Sequence, residues 1–135
     1  MNNSGYVEVD HIADLAIRVW GQDFYTILAR AAEGLYTIMG VMYDTTSQSE
    51  KEIIFENLNL ENLLVDFLNE ILYLGENNHL FLDSMRFVER NDAIVVKAKT
   101  HMIQHIEREI KAVTYHELEI IENEKGLETT ITFDI

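Results

Sequence analysis

Leu127-Glu128-Thr129-Thr130-Ile131-Thr132-Phe133-Asp134-Ile135 ends the sequence in an unbroken two-residue alternation. Leu127, Thr129, Ile131, Phe133 and Ile135 fall on one face, and Glu128, Thr130, Thr132 and Asp134 on the other. A β-branched and aromatic run with one apolar face predicts a strand laid on a core. Because the alternation persists to the last residue, Ile135 is predicted to point into that core and to fix its own carboxylate. Asp134 then projects on the side away from the core.

Working back from this strand, Glu122 to Gly126 reads as a turn. Glu109 to Ile121 reads as a strand whose alternation changes phase between Tyr115 and Leu118, which suits a bulge. Thr100 to Arg108 fits a helical turn or a strand equally well. Leu80–Glu89 and Ala93–Lys99 flank Arg90-Asn91-Asp92, the pattern of a hairpin. Two helices precede it. In the first, Phe24, Ile27, Leu28, Ala31, Leu35, Ile38 and Met39 keep helical spacing between Asp23, an N-cap, and Gly40, a stop. In the second, Leu60 to Leu72 carries an apolar stripe, with Asn59 as cap and Gly75 as the predicted end. Between the helices, Tyr43–Glu50 is polar and reads as loop, and Glu52–Leu58 as a strand. Near the start, Tyr6–Val9 and Ala13–Trp20 read as strands, with Asp14 opposite the Leu15/Ile17/Val19 stripe. The pattern predicts one α+β domain over residues 1–135: a mostly antiparallel sheet with two amphipathic helices packed on one face.

Composition narrows the function classes. Ten Lys and Arg stand against 24 Asp and Glu, a net charge of −14. Nucleic-acid binding draws on phosphate neutralisation by a basic footprint, so direct binding of RNA or DNA is not expected. A cation or a basic protein partner fits better. There is no cysteine, hence neither a disulfide framework nor a thiolate zinc site. No apolar run reaches membrane-spanning length, and the polar start lacks a secretory pattern, so a cytoplasmic setting is expected.

Three blocks resemble the archease family. Tyr6-Val7-Glu8-Val9-Asp10-His11-Ile12-Ala13-Asp14, with Ile17 and Trp20-Gly21, is similar to the family's opening motif. Glu109-Ile110-Lys111-Ala112-Val113-Thr114-Tyr115-His116 is close to its most recognisable run. Phe133-Asp134-Ile135 is similar to its ending, and Leu63–Tyr73 matches one of its helices in character. Ile12 stands where the family usually has threonine, which removes a hydroxyl beside Asp10. The segment 100–105 lacks the family's glycine-glutamate pair.

The resemblance implies a non-enzymatic accessory protein that activates an RtcB-type tRNA-splicing RNA ligase by promoting its guanylylation and multiple turnover. An alternative within the family is a general chaperone of tRNA-modifying enzymes, such as a tRNA methyltransferase. It further implies that Asp14, Asp134 and the terminal carboxylate of Ile135 hold a divalent metal, calcium first, with magnesium, manganese or zinc as alternatives. Lys111 is implied to be essential, and Asp10 and His11 share the opening motif.

From the residues alone, Asp14 reads as a solvated edge position, and Asp134 with the terminus as a charged tail. Three carboxylates brought together would repel one another, and a hard cation with oxygen ligands relieves that. Lys111 is either a surface lysine or the cation that balances this cluster. His11 is a ligand, a base or simply hydrogen-bonded. A metal-dependent hydrolase using Asp14, Asp134 and His11 ranks last, because no nucleophile elbow or phosphate loop accompanies them.

Overall fold

A computed structural model describes residues 3–9, 15–56 and 59–135. Strand β1 (Gly5–Val9) pairs antiparallel with β2 (Leu15–Gly21). Helix α1 (Phe24–Met39) starts where the Asp23 carboxylate accepts from the Thr26 backbone N–H at 2.8 Å, and stops at Gly40, whose φ of 62° is left-handed. That conformation costs glycine little, which is why the helix ends there. Strand β3 (Val41–Phe55) follows, and then helix α2 (Leu60–Asn78), capped by Asn59 accepting from Asn62 N at 3.0 Å. Strands β4 (Leu80–Arg90) and β5 (Ala93–Ile106) form a hairpin. Its two-residue turn, Asn91-Asp92, has both φ values positive (51° and 65°), the twist that a right-handed strand pair needs. Short strands β6 (Ala112–Thr114) and β7 (Ile121–Asn123) precede β8 (Gly126–Asp134).

The strands divide into two antiparallel sheets. One runs β1-β2-β8-β6, with β7 also on β8; the other runs β3-β5-β4. The closing strand is thus interior to the larger sheet, where Ile131 and Phe133 are fully buried. Helix α1 packs on β1, β2 and β8, and α2 on β3, β4 and β6, so each helix serves one sheet chiefly and touches the other. Tyr36 of α1 reaches across: its hydroxyl accepts from Leu82 N–H at 3.0 Å and its ring lies 4.3 Å from Phe81. Phe67 of α2 meets Phe55 and Phe87 edge-on. Leu64, Leu68 and Ile71 are buried to within 1%. At about 1.5–3 kcal/mol per buried side chain, this packing outweighs intrinsic helix propensity as the force that holds α2.

Three expectations are corrected and one open alternative is decided. Tyr43–Glu50 is strand, not loop: β3 is an edge strand, so its polar residues face solvent. The loop-like composition does mark an irregularity, because the β3–β5 register jumps between Asp44 and Ser49. The ambiguous residues 100–106 continue β5. Gly75 does not end α2. It is buried within the helix, which runs three residues further and stops at left-handed His79 (φ 55°). Glu109–Ile121 is not one strand: only Ala112–Thr114 and Ile121 lie in strands, separated by a turn at His116-Glu117, where φ of Glu117 is 52°. The change of phase seen in the sequence was a break in the strand rather than a bulge.

Candidate functional site

The corner of the larger sheet is built by three strands meeting in register. Leu15, Phe133 and Val113 lie side by side across β2, β8 and β6, and Phe133 is fully buried. One step along, Ala112 faces Asp134, and Lys111 N–H donates to the Asp134 carbonyl at 2.9 Å. Backbone pairing therefore brings Lys111 and Asp134, 23 positions apart in the chain, against one another. Both side chains are exposed.

Polar side chains of α2 hold the Lys111 run in place. Asn69 accepts from Val113 N–H at 2.9 Å, satisfying a donor that the short edge strand β6 would otherwise leave open, and Glu61 accepts from Ile120 N–H, four residues past the run, at 3.0 Å. The Tyr115 hydroxyl lies 3.5 Å from Asp66, a long contact. Desolvation first, and the Asp66 charge second, push the Tyr115 phenol above its ordinary value. At the head of the run, the Met39 carbonyl at the end of α1 accepts from both Glu107 N–H and Arg108 N–H at 3.0 Å, and Ile110 is buried. The run is thus pinned at its head and in its middle, and the chain is held again just past it.

Ile135 departs from expectation. It lies beyond the last paired residue, Asp134, and is 53% exposed, so its side chain does not enter the core. Among the described residues, the buried layer ends with Phe133. The Lys111–Asp134 backbone bond ties down this end of the chain. Asp10, His11 and Asp14 lie outside the described residues. Among the described residues, no group of three or more His, Asp or Glu is placed to hold a metal.

Two further residues belong to this corner. Among the described residues Thr114 Oγ1 is buried without a hydrogen-bond partner, and Thr114 sits directly across from Thr132, itself buried. Asn69 was passed over in the sequence as one polar residue near an apolar helical stripe. Its spacing of three from Asp66, both on the side of α2 that meets β6, was the available signal.

The geometry can be set beside known proteins. A family model described as the archease protein family matches residues 6–135. The protein archease of Methanosarcina barkeri is 29% identical over 139 residues, covering 96% of this chain and 95% of that protein. The protein archease of Methanopyrus kandleri is 30% identical over 132 residues, covering 88% and 90%. The crystal structure of a Thermotoga maritima archease, titled a possible chaperone, superposes with a TM-score of 0.73 at 26% identity and covers 94% of both chains.

Proposed function

This chain belongs to the archease family, and we propose that it is a non-catalytic accessory protein that activates an RtcB-type tRNA-splicing RNA ligase, promoting the ligase's guanylylation and multiple turnover. One geometric observation supports this beyond the family match. Lys111 and Asp134, which the resemblance singles out in separate stretches, are tied together at one exposed corner. The net charge of −14 supports a protein partner with a basic surface, since complementary charge speeds encounter and fixes orientation.

At that corner Asp14, Asp134 and the terminal carboxylate of Ile135 would hold a divalent cation. The described part of the donor set fits a hard ion: it offers carboxylate oxygens at an exposed strand end, with no sulfur and no imidazole. That chemistry favours calcium, or magnesium or manganese, over zinc. Bound there, the cation would offset the carboxylates' mutual repulsion and present positive charge to phosphate oxygens. Lys111 would add its ammonium beside them, and the hydrogen bonds that Asn69 accepts from Val113 N–H and Glu61 from Ile120 N–H would keep the segment that follows it from drifting. A second reading, a general chaperone of tRNA-modifying enzymes, draws on the chaperone title of the Thermotoga maritima relative.

The test is guanylylation of purified ligase with GTP and metal, with and without this protein. The wild type is expected to raise the guanylylated fraction and support repeated turnover. Lys111→Ala is expected to remain folded, because exposed lysine changes usually cost less than about 0.5 kcal/mol, and to lose the activation. Full activation by a folded Lys111→Ala protein would remove Lys111 from the mechanism. No activation by the wild type would favour the chaperone reading.

A further inference from the structure

The two helices end at the same place. Helix α1 stops at Met39, whose carbonyl accepts from Glu107 N–H and Arg108 N–H and so ties the helix end to the segment that leaves β5. The last two turns of α2 bring up Leu72 and Glu76, whose spacing of four puts them on one side of that helix. Between the helix ends and residues 106–110 lies a pocket of about 160 Å³, lined by Met39, Leu72, Glu76, Ile106, Glu109 and Ile110. Met39, Leu72 and Ile110 are buried and Ile106 is half-buried, so together they make an apolar floor. Glu76 and Glu109 are exposed and stand at the rim.

Negative charge in this pocket is not offset by its own lining. A helix C-terminus carries roughly −0.5 of an elementary charge, which a Lys, Arg or His in the last turn offsets. Neither helix has a basic residue in its last turn, and α2 carries Glu76 there instead. Backbone N–H groups meet the end of α1, but His79, the cap of α2, lies outside the lining. Among the described residues neither Glu76 nor Glu109 takes part in an ion pair. Arg108, next to Glu109 in the chain, lines a separate hollow with Glu8 and Glu107. Lys111 is not in the lining either. Two carboxylates and the negative end of α2 thus gather over an apolar floor whose lining holds no cation. Stability does not ask for this, because a carboxylate in the last turn is repelled by the helix's own end.

We propose that this pocket seats an arginine side chain of a protein partner, its methylene stem on the apolar floor and its guanidinium between Glu76 and Glu109. The size is right, since a cavity of about 150 Å³ takes a group as large as benzene. Arginine lays its stem on apolar surface while its charged head stays at the rim. That head is flat and weakly hydrated, and its five N–H donors can serve two carboxylates at once, whereas the ammonium of lysine is a compact, strongly hydrated point charge. A hard metal ion would gain nothing from the floor and needs more oxygen ligands than two side chains offer. A leucine would fill the floor but leave the carboxylates desolvated and unpaired. Such a seat rests on the reading that this chain meets a protein with a basic surface. It would place one contact of that meeting at the head of the Lys111 run, where Glu109 and Ile110 directly precede Lys111.

The test is an NMR titration of the full chain, read at the methyl groups of Met39, Leu72, Ile106 and Ile110. About 0.15 M salt screens loose attraction to the acidic surface. The probes are three end-blocked tripeptides, Gly-Arg-Gly, Gly-Lys-Gly and Gly-citrulline-Gly; citrulline keeps the shape of arginine without its charge. The arginine peptide is expected to give saturable shifts at these methyls with a dissociation constant of about 1–10 mM. The lysine peptide should bind more weakly, and the citrulline peptide more weakly still. Glu76→Gln/Glu109→Gln should weaken the arginine peptide about tenfold, and each single variant should show part of that loss. Because the substitution relieves repulsion at the end of α2, the double variant's melting temperature should stay level or rise. Any of four results overturns the assignment: no saturable shift up to about 50 mM arginine peptide, equal binding of the lysine or citrulline peptide, equal affinity in the double variant, or a fall in that variant's melting temperature, which would give the carboxylates to the fold. No ligase or GTP enters this experiment, so its failure and a failure of the guanylylation assay are told apart.

Discussion

Replacing Asp134 by asparagine removes one negative charge and almost nothing else. Its contact with Lys111 is made by the backbone carbonyl, which the substitution keeps, and its side chain is exposed. The fold should therefore lose no more than about 0.5 kcal/mol. If Asp134 is a metal ligand, calcium at 100 times its dissociation constant stabilises the wild type by about 2.7 kcal/mol through mass action. A hundredfold weaker site at the same calcium concentration retains only about 0.4 kcal/mol. For a chain of this size each kcal/mol moves the melting temperature by roughly 3–5 °C, so the variant should lose about 7–12 °C of calcium-dependent shift. The assay is thermal melting by circular dichroism with calcium and with chelator, for wild type, Asp134→Asn and Asp14→Asn. Adding two glycines after Ile135 supplies a second arm, because it converts the terminal carboxylate into a peptide bond at a residue that is 53% exposed. The same loss is expected there. An Asp134→Asn protein that keeps the full calcium shift would refute the proposed ligand set.

Two further outcomes follow from the core. The buried Tyr36 phenol is pushed well above its ordinary value of 10.0, desolvation outweighing the Leu82 hydrogen bond. The folded value is the raised one, so this group's contribution is complete below about pH 10 and falls above it, by about 1.4 kcal/mol per pH unit, as only the unfolded chain ionises. Tyr36→Phe should remove that alkaline slope, measured by urea melts from pH 9 to 11, and cost about 1–3 kcal/mol at neutral pH because Leu82 N–H loses its acceptor. Gly126→Ala places a Cβ against the Gly21 carbonyl at a φ of 126°, and should cost at least about 2 kcal/mol in the same melts. A loss below about 0.5 kcal/mol would show that the β7–β8 turn can shift at little cost.

What could be read in the sequence was whatever local chemistry decides. Asp23, Gly40 and Asn59 bound their helices as their side chains and backbone preferences require, and Asn91-Asp92 made the hairpin turn. What could not be read depended on distant partners. Tyr43–Glu50 is polar because it lies on an open edge, a property of the sheet rather than of the segment. Gly75 stays helical because the helix around it is packed, whereas the stop falls to His79, which composition does not mark. The division into two sheets depends on which strands pair, and alternation is silent about that. At the corner, no spacing rule links Lys111 to Asp134; the family resemblance pointed to both, and the β6–β8 register explains how they meet. Ile135 followed the alternation but not the burial, because a two-residue period says which way a side chain points and not whether a core extends that far.

Strand β8 follows every other element in the chain and yet lies inside its sheet, between β2 on one side and β6 and β7 on the other. Its pairing with β2 joins residues on the order of a hundred positions apart. During synthesis β1 and β2 emerge first and can form only a two-stranded ribbon, a unit of marginal stability in water. Their apolar face, with Ile17 and Val19, must wait for α1 and β8 before its burial is complete. Closing so long a loop makes folding slow and leaves an open strand edge meanwhile. The larger sheet, and with it the Lys111–Asp134 corner, is completed only after the ribosome has delivered the residues at Asp134. A nascent chain stalled before β8 would carry both helices and the whole β3-β5-β4 sheet, but not the corner.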